Sequence, residues 1–565
     1  MALTKVTYAM IEDMIVNVKD YGAIGDGIAD DLNAINAAFA QVIALGAGTV
    51  YFPTGTYLTT STIGNVSAAT NRISIAVIGE VGTVINFNPS VAANVGLNLQ
   101  FAELNIGIVK NLDIQCNNKV ATGLRVVGEQ VSPITVVDYV EIDGVHVSEC
   151  NMVNNSSITT SAAGIRVDSD LGVNCWITNC YVVDVSREKL SSSNGIIATG
   201  FITTFIANNA VFGVTHNNIV PLQDADGIAV FSFNDGANRY YRQATATVIN
   251  NRVVDCDGRF IKLQTNGSAV VENNVLSLTN AMQLVNNFQF IDSQVGSATI
   301  SHNRIQSLSN WTGGGSATVF SIQFAKTANL FETNESFVQR VENNDVYITK
   351  RFAYGVTAQA VDASQCNVFH YIKQNTISSD IPLALTGTVG DAAVGRFVYL
   401  SGGATLAGFT GKLFLDISDN RVSSSAGLLS VPNTSNDDFA GKWFWYIYDN
   451  FIYTWDGGDV VVTGAGTAPL NNCAYTSTLM VRDNNVGSSG PTRNRLRLPL
   501  DVSKILSGSD FGTGDGAAPA MTNVPANWRN GRIYKKGLVT GAENVNGAAA
   551  LHYLSIDSGA NWYQI

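Results

Sequence analysis

The 565-residue chain lacks most of the features that would assign it quickly to a class. It has no uninterrupted run of 18 or more apolar residues, and "MALTKVTYAM" lacks the basic-then-apolar order of a secretory signal, so neither a spanning helix nor Sec export is expected. Only 14% of residues are charged, and the balance is acidic at −12, which leaves no basic face for DNA or RNA. The seven cysteines (116, 150, 175, 180, 256, 366, 473) are odd in number and contain no C-x-x-C pair. They are expected to be buried reduced thiols, neither a zinc ribbon nor a full disulfide framework. The five histidines (146, 216, 302, 370, 552) are scattered without H-E-x-x-H, so no metal and no cofactor is expected. G-x-S-x-G is also missing, which removes the local signature of a serine hydrolase.

What is present starts with "VNVKDYGAIGDGIADDLNAINAAF", residues 16–39. Gly22, Gly25 and Gly27 do not fit G-x-G-x-x-G, no Lys follows them, and Asp26, Asp30 and Asp31 would repel a polyphosphate. The structural alternative uses every residue. Asp30 or Asp31 caps a helix whose apolar face is Leu32, Ile35, Phe39 and Val42, and Gly46 stops it. "GTVYFPTGTYLTT" (48–60) then reads as strand, Pro-Thr-Gly turn and strand.

"VKDYGAIGDGIADD" followed by "GAGTVYFPTGTY" resembles the opening segment of the pectate-lyase-like right-handed β-helix family, in particular of bacteriophage tailspikes that degrade surface polysaccharide. The likeness covers residues 15–60, with Ile24 standing where the family often has Lys. It implies an all-β, right-handed parallel β-helix behind an N-terminal capping helix. It further implies a homotrimer joined to a phage tail or baseplate through the N-terminus, made in the host cytoplasm and acting at the bacterial surface. Residues 1–14 would be a lead-in, 15–60 the cap, 61–506 the β-helix with inserted loops, 507–526 a Gly/Ala/Ser/Pro linker, and 527–565 a small C-terminal β module for trimerisation or glycan recognition.

The middle of the chain carries a repeat of its own. Short β-rich phrases such as "WITNCYV", "VINNRVV", "VENNVLSL" and "ISDNRV" place a polar corner before an exit strand. Counting the residue just before that strand gives Asn111, Gly144, Asn179, Asn218, Asn251, Asn274, Asn303, Asn344, Asn375, Asn420, Asn450 and Asn485. Asn suits the corner because it tolerates left-handed geometry and its amide can bond to coils above and below. The spacing implies a solenoid of about a dozen coils, each burying its core only against the next.

On such a shaft, glycoside hydrolysis needs two carboxyl groups flanking the scissile bond. "QDADGIAVF" supplies Asp224 and Asp226, and "DCDGRFIKLQ" supplies Asp255 and Asp257 with Arg259, Lys262 and Gln264. If Ile261 and Leu263 point inward, Lys262 and Gln264 face outward beside the acids. The intervening "NDGANRYYRQ" offers Arg239, Tyr240, Tyr241 and Arg242 to stack on sugar rings and grip acidic substituents. Asp168 with Asp170, and Glu332 with Glu335, are further candidates for lining the groove. Three readings remain open: an endo-acting glycoside hydrolase on capsular or other bacterial polysaccharide, a lyase using Lys262, Arg259 or Tyr240 on a uronate, and a receptor-binding shaft without catalysis.

Overall fold

The computed structural model describes residues 14–64, 73–101, 103–128, 136–152, 161–187, 192–216, 225–232, 244–284, 288–308, 311–313, 317–323, 335–350, 352–359, 366–379, 394–401, 412–425, 429–431, 443–454, 461–463, 478–482, 485–486, 496–497, 553–555 and 562–564. The chain divides into two compact units, residues 1–295 with 303–317, and residues 296–302 with 318–565.

The first unit opens as the glycine pattern requires. Gly22 stands at φ 99 and Gly25 at φ 71, where a Cβ on Gly25 would meet the Tyr57 ring at 3.0 Å. The helix Leu32–Leu45 follows, with Ile35, Phe39 and Val42 buried and Gly46 closing it at φ 77. The Asp31 carboxylate does not bond to the helix it precedes. It turns back to accept the N–H groups of Ile24 (2.6 Å) and Gly25 (3.2 Å), while Asp30 accepts from Leu32 at 3.1 Å. The acids of this loop therefore satisfy its own backbone donors, which is the work an anion would do in a phosphate cradle.

Past the cap, each coil of the first unit contributes strands to three parallel sheets. In the first sheet Ala93–Phe101, Val120–Gly128, the start of Ala162–Thr178, the start of Ser193–Ala207, Ala225–Phe231 and the start of Arg259–Glu272 stack in order. A register shift between Asp168 and Gly172 carries the chain into the second sheet without a break. His146–Met152, Tyr181–Arg187, Ala210–His216, Arg252–Cys256 and Val275–Leu278 belong to the third. Inward positions are almost wholly aliphatic; Ile165, Ile196, Ile228 and Ile261 form one fully buried column.

The corner between second and third sheets explains the Asn repeat, with the two properties expected of one residue divided between neighbours. Asn208, Asn250 and Asn273 take the left-handed backbone (φ 57 to 59), and the residues after them, Asn209, Asn251 and Asn274, are buried. Each buried amide donates to a main-chain carbonyl, Ile177 (2.9 Å), Ile206 (3.0 Å) or Val248 (2.9 Å), and to the side-chain oxygen of the next Asn at 3.0, 3.0 and 2.9 Å. Asn303 follows, its amide donating to the Val271 carbonyl at 3.0 Å. Asn209 is a corner that the phrase reading passed over in favour of Asn218, which lies outside the described residues. In earlier coils the same position is apolar, occupied by Leu112, Val145 and Cys180.

The second unit repeats the ladder through Asn344, Asn375, Asn420 and Asn450, the first three amides each reaching the next side-chain oxygen at 2.9 to 3.0 Å. Aromatic side chains pair along its outward face. Phe369 stacks on Phe414 (4.3 Å, 9°), Tyr354 on Tyr399 (4.3 Å, 13°), and the Arg340 guanidinium lies 4.4 Å from the Tyr371 ring. Tyr553–Ser555 and Trp562–Gln564 form an antiparallel pair; the rest of 507–565 lies outside the described residues. Six cysteines are free and buried, as expected of core thiols, and Cys473 lies outside the described residues. Among the described residues no group of three or more His, Cys, Asp or Glu side chains could hold a metal, and no helix is long and apolar enough to cross a membrane.

Candidate functional site

The alternation along "GRFIKLQ" decides where the site lies. Ile261 and Leu263 are fully buried in the core, so Lys262 and Gln264 sit on the outward face of the first sheet. Register pairs Ile228 with Ile261 and Ala229 with Lys262, which sets Asp226 directly against Arg259 on the neighbouring coil. The Arg259 backbone N–H donates to Asp226 Oδ1 at 3.2 Å, and its guanidinium Nη1 lies 3.6 Å from the same oxygen. Lys262 Nζ stands 3.8 Å from Asp226 Oδ2 and 5.1 Å from the centre of the Phe231 ring.

On the following coil Arg259 Nε meets Asp292 Oδ2 at 3.2 Å and donates to Gln289 at 3.2 Å, while Gln294 donates to Asp292 at 2.9 Å. Asp226 and Asp292 are each 1% exposed, and Arg259 and Lys262 are the members that reach solvent, with side chains 14% and 9% exposed. Two buried carboxylates thus share one guanidinium, an arrangement in which the attraction offsets part of the large cost of desolvating the ions. Asp292 was not among the sequence candidates. Its signal was present, because Asp226, Arg259 and Asp292 follow one another at intervals of 33 residues, one coil each.

The other acids divide by what they bind. Asp255 adopts φ 58 in the third sheet, and its carboxylate accepts from the Thr279 N–H (2.6 Å) and hydroxyl (2.8 Å) and from the Asn280 N–H (3.1 Å) and amide (2.5 Å). All of its acceptor directions are engaged in holding that turn. Asp257 is 5% exposed in the turn from the third sheet to the first, and its N–H donates to the Val214 carbonyl on the third sheet. Burial pushes the Cys256 thiol well above its ordinary range, and the carboxylates of Asp257, Asp226 and Asp255 push it further. Three of the four proposed acids therefore surround one thiol, which is kept protonated and inert as a nucleophile.

Farther along the same face, Arg125 and Arg166 are register partners, and Asp168 Oδ2 lies 2.5 Å from Arg166 Nε. Burial lowers the Arg125 pKa, and Asp168 partly counters this. Asp170 follows on the same strand, half-buried. Glu335 belongs to the second unit. Asp224, Arg239, Tyr240, Tyr241, Arg242 and Glu332 lie outside the described residues.

Residues 15–228 match the family model described as rhamnogalacturonase A/epimerase, pectate lyase-like. Among curated proteins, the plasmin and fibronectin-binding protein A of Streptococcus pneumoniae is 60% identical over 48 residues, 8% of this chain and 7% of that protein. A mannuronan C5-epimerase of Azotobacter vinelandii is 57% identical over 44 residues, 8% of this chain and 4% of its own length. The chain thus spans less than a tenth of the curated relatives it matches. Of solved structures, the Dettilon tailspike protein aligns over 73% of this chain and 70% of its own at 15% identity and a TM-score of 0.38. The matched segment covers the cap and the first coils, and with parallel coils stacked behind it the chain has the fold of a pectin-lyase-like parallel β-helix.

Proposed function

We propose that this protein is a polysaccharide-cleaving enzyme of the tailspike depolymerase type, an endo-acting glycoside hydrolase whose site is centred on Asp226 at the outward face of the first sheet. One observation carries the reading. Asp226, Arg259, Lys262 and Asp292 converge where neighbouring coils meet, and Asp257 is near enough to act with Asp226 on the Cys256 thiol. Paired carboxyl groups take different roles when their environments differ. Asp226 faces two cations and is suited to the ionised role of base or nucleophile. Asp257, next to Cys256 in the chain, is proposed as the second carboxyl group, the one that protonates the leaving oxygen. Arg259, clasped by Asp292 and Gln289, positions Asp226 and meets anionic groups of the substrate. Phage attachment through the N-terminus, a homotrimer and bacterial surface polysaccharide as substrate belong to the same proposal, supported by the opening motif of residues 15–60.

Lyase chemistry has an observation of its own. Lys262 and Arg259 are both beside Asp226, and a cation pair of this kind could neutralise a uronate carboxylate while a base removes its α proton. A single assay separates the readings: surface polysaccharides from encapsulated bacteria are incubated with the protein, and chain length, reducing ends and ultraviolet absorbance are followed together. Hydrolysis gives shorter chains and new reducing ends without absorbance. Shortening with absorbance transfers the chemistry to elimination, and binding without shortening leaves a receptor-binding shaft.

A further inference from the structure

The third sheet of the first unit holds a cavity that the Asp226 cluster does not use. It measures about 410 Å³, and Asp184, Phe212, Gly213, Thr215, Asn280 and Met282 are among its lining residues. Its origin lies in a single column. Glu149, Asp184, Gly213 and Asp255 on successive coils all take the left-handed backbone (φ 58 to 67), and the pairings Cys150 with Val185, Val185 with Val214 and Val214 with Cys256 stack them. Gly213 is the one member without a side chain. A Cβ there would come no nearer than 3.8 Å to Asp184, so the missing side chain leaves open space.

A row of rings leads to this gap. His146 meets Tyr181 edge-on at 4.8 Å, Tyr181 lies 5.3 Å from Phe212, and the Arg252 guanidinium sits 5.3 Å from the Phe212 ring. Tyr181 is 41% exposed, a large ring kept in solvent on a sheet whose inward side has ample apolar neighbours. We propose that the cavity, with Tyr181 at its rim, is a carbohydrate subsite for one uncharged pyranose unit, separate from the Asp226 cluster. An aromatic face accepts the C–H side of a pyranose, and Asp184 and Thr215 supply the few convergent polar groups that fix hydroxyls. Asp184 and Asp255 both line the cavity and no Lys or Arg does so among its described lining residues, so a carboxylated sugar is repelled. The choice of a sugar as ligand rests on the polysaccharide reading above, and the subsite holds the polymer on a different sheet from the one that cleaves it.

The test uses the full chain and four probes: methyl β-glucoside, methyl β-galactoside, methyl α-mannoside and N-acetylglucosamine, with glucuronate as the charged control. Saturation-transfer NMR and calorimetry are expected to find at least one neutral probe binding with a Kd of about millimolar, and tighter than the control. Gly213→Asn fills the gap with a residue that tolerates its backbone, and is expected to weaken that binding at least about tenfold with an unchanged melting temperature. Tyr181→Ala should weaken it too, whereas Asp226→Asn should not. Binding of none of the four probes, tighter binding of the charged control, or binding unaltered by Gly213→Asn overturns the subsite. Neutral-sugar binding that Gly213→Asn abolishes, in a protein that cleaves no polysaccharide, keeps the subsite and removes the depolymerase reading.

Discussion

The two units solve one problem identically and then diverge. Both close their second corner with a buried asparagine ladder, Asn209 to Asn303 in the first and Asn344 to Asn450 in the second. Facing outward, however, the first unit gathers a cluster of charges around Asp226, while the second stacks near-parallel rings, Tyr354 on Tyr399 and Phe369 on Phe414. The corner is fixed because buried backbone carbonyls and N–H groups must be met there, and the Asn amides meet them, whereas outward positions answer to solvent and to whatever binds there. Function is therefore sought where the coils differ.

The largest expected effect concerns a histidine buried in the second unit. His370 of the second unit is fully buried, and neither ring nitrogen has a hydrogen-bond partner among the described residues. Burial pushes its pKa down from 6.5 to about 3. Above pH 6.5 the ring is neutral in both folded and unfolded chains and has no effect on the pH dependence. As pH falls below 6.5 only the unfolded chain takes up the proton, so stability is lost until the folded pKa is reached. At about 1.4 kcal/mol per pH unit, the roughly three and a half units between the two values cost close to 5 kcal/mol at the acid limit. Pepsin digestion between pH 3 and 4 is expected to cut first in the coils around Asn367–Lys373, and His370→Leu should remove that sensitivity while changing little at pH 7.5. An identical acid midpoint for His370→Leu would sink the assignment.

Next comes the feature the units share. Asn274→Ala strands the Val248 carbonyl and the Asn251 N–H; Asn375→Ala strands the Val341 carbonyl and the Asn344 N–H. Leaving such buried groups unmade costs about 1 to 3 kcal/mol each, so both variants should lose about 3 kcal/mol by denaturant unfolding. Asn209→Leu, beside the apolar Cys180, is expected to lose less because the column is already changing there. A large loss in one unit only would mean that the ladders are alike in geometry but not in weight.

These corners were legible in the sequence because they recur, and periodicity is visible without knowing what the side chains touch. Even so, the reading assigned left-handed backbone and ladder bonding to one Asn, because one-dimensional spacing cannot divide two roles between neighbours such as Asn250 and Asn251. The cap helix was equally plain from Ile35, Phe39, Val42 and Gly46, yet Asp31 was read as a possible helix cap when it serves the loop behind it. Part of the site was readable, since the alternation of Ile261 and Leu263 with Lys262 and Gln264 fixed a face. Asp292 escaped notice because it stands alone in "FIDSQ" without a glycine turn, and its meaning lies in Arg259 one coil away.

The charged face of the first unit provides the third contrast. Asp226→Asn should lower polysaccharide turnover by at least about a hundredfold, equivalent to about 2.7 kcal/mol, as loss of a general acid or base implies. Asp416→Asn in the second unit removes a carboxylate that lies 2.6 Å from Lys373, and is expected to leave turnover unchanged. Full cleavage by Asp226→Asn, measured as reducing ends per minute on a glycan the protein degrades, would move the chemistry to another coil.

The smallest effect tests whether the rings of the second unit stiffen the coil or merely cover it. Phe369 and Phe414 are register partners held nearly parallel at 4.3 Å, so each ring lies over a neighbour on the adjoining coil. Replacing either with Leu keeps most of the apolar area but removes the ring-on-ring contact, and the two single changes are not expected to add. A double-mutant cycle with Phe369→Leu and Phe414→Leu isolates the pairwise term, expected at about 0.5 to 1.5 kcal/mol. A coupling indistinguishable from zero would leave area burial alone to account for the aromatics. The outward face of the second unit would then be as open to substitution as that of the first, and the aromatic stacks would have to be explained by something they bind.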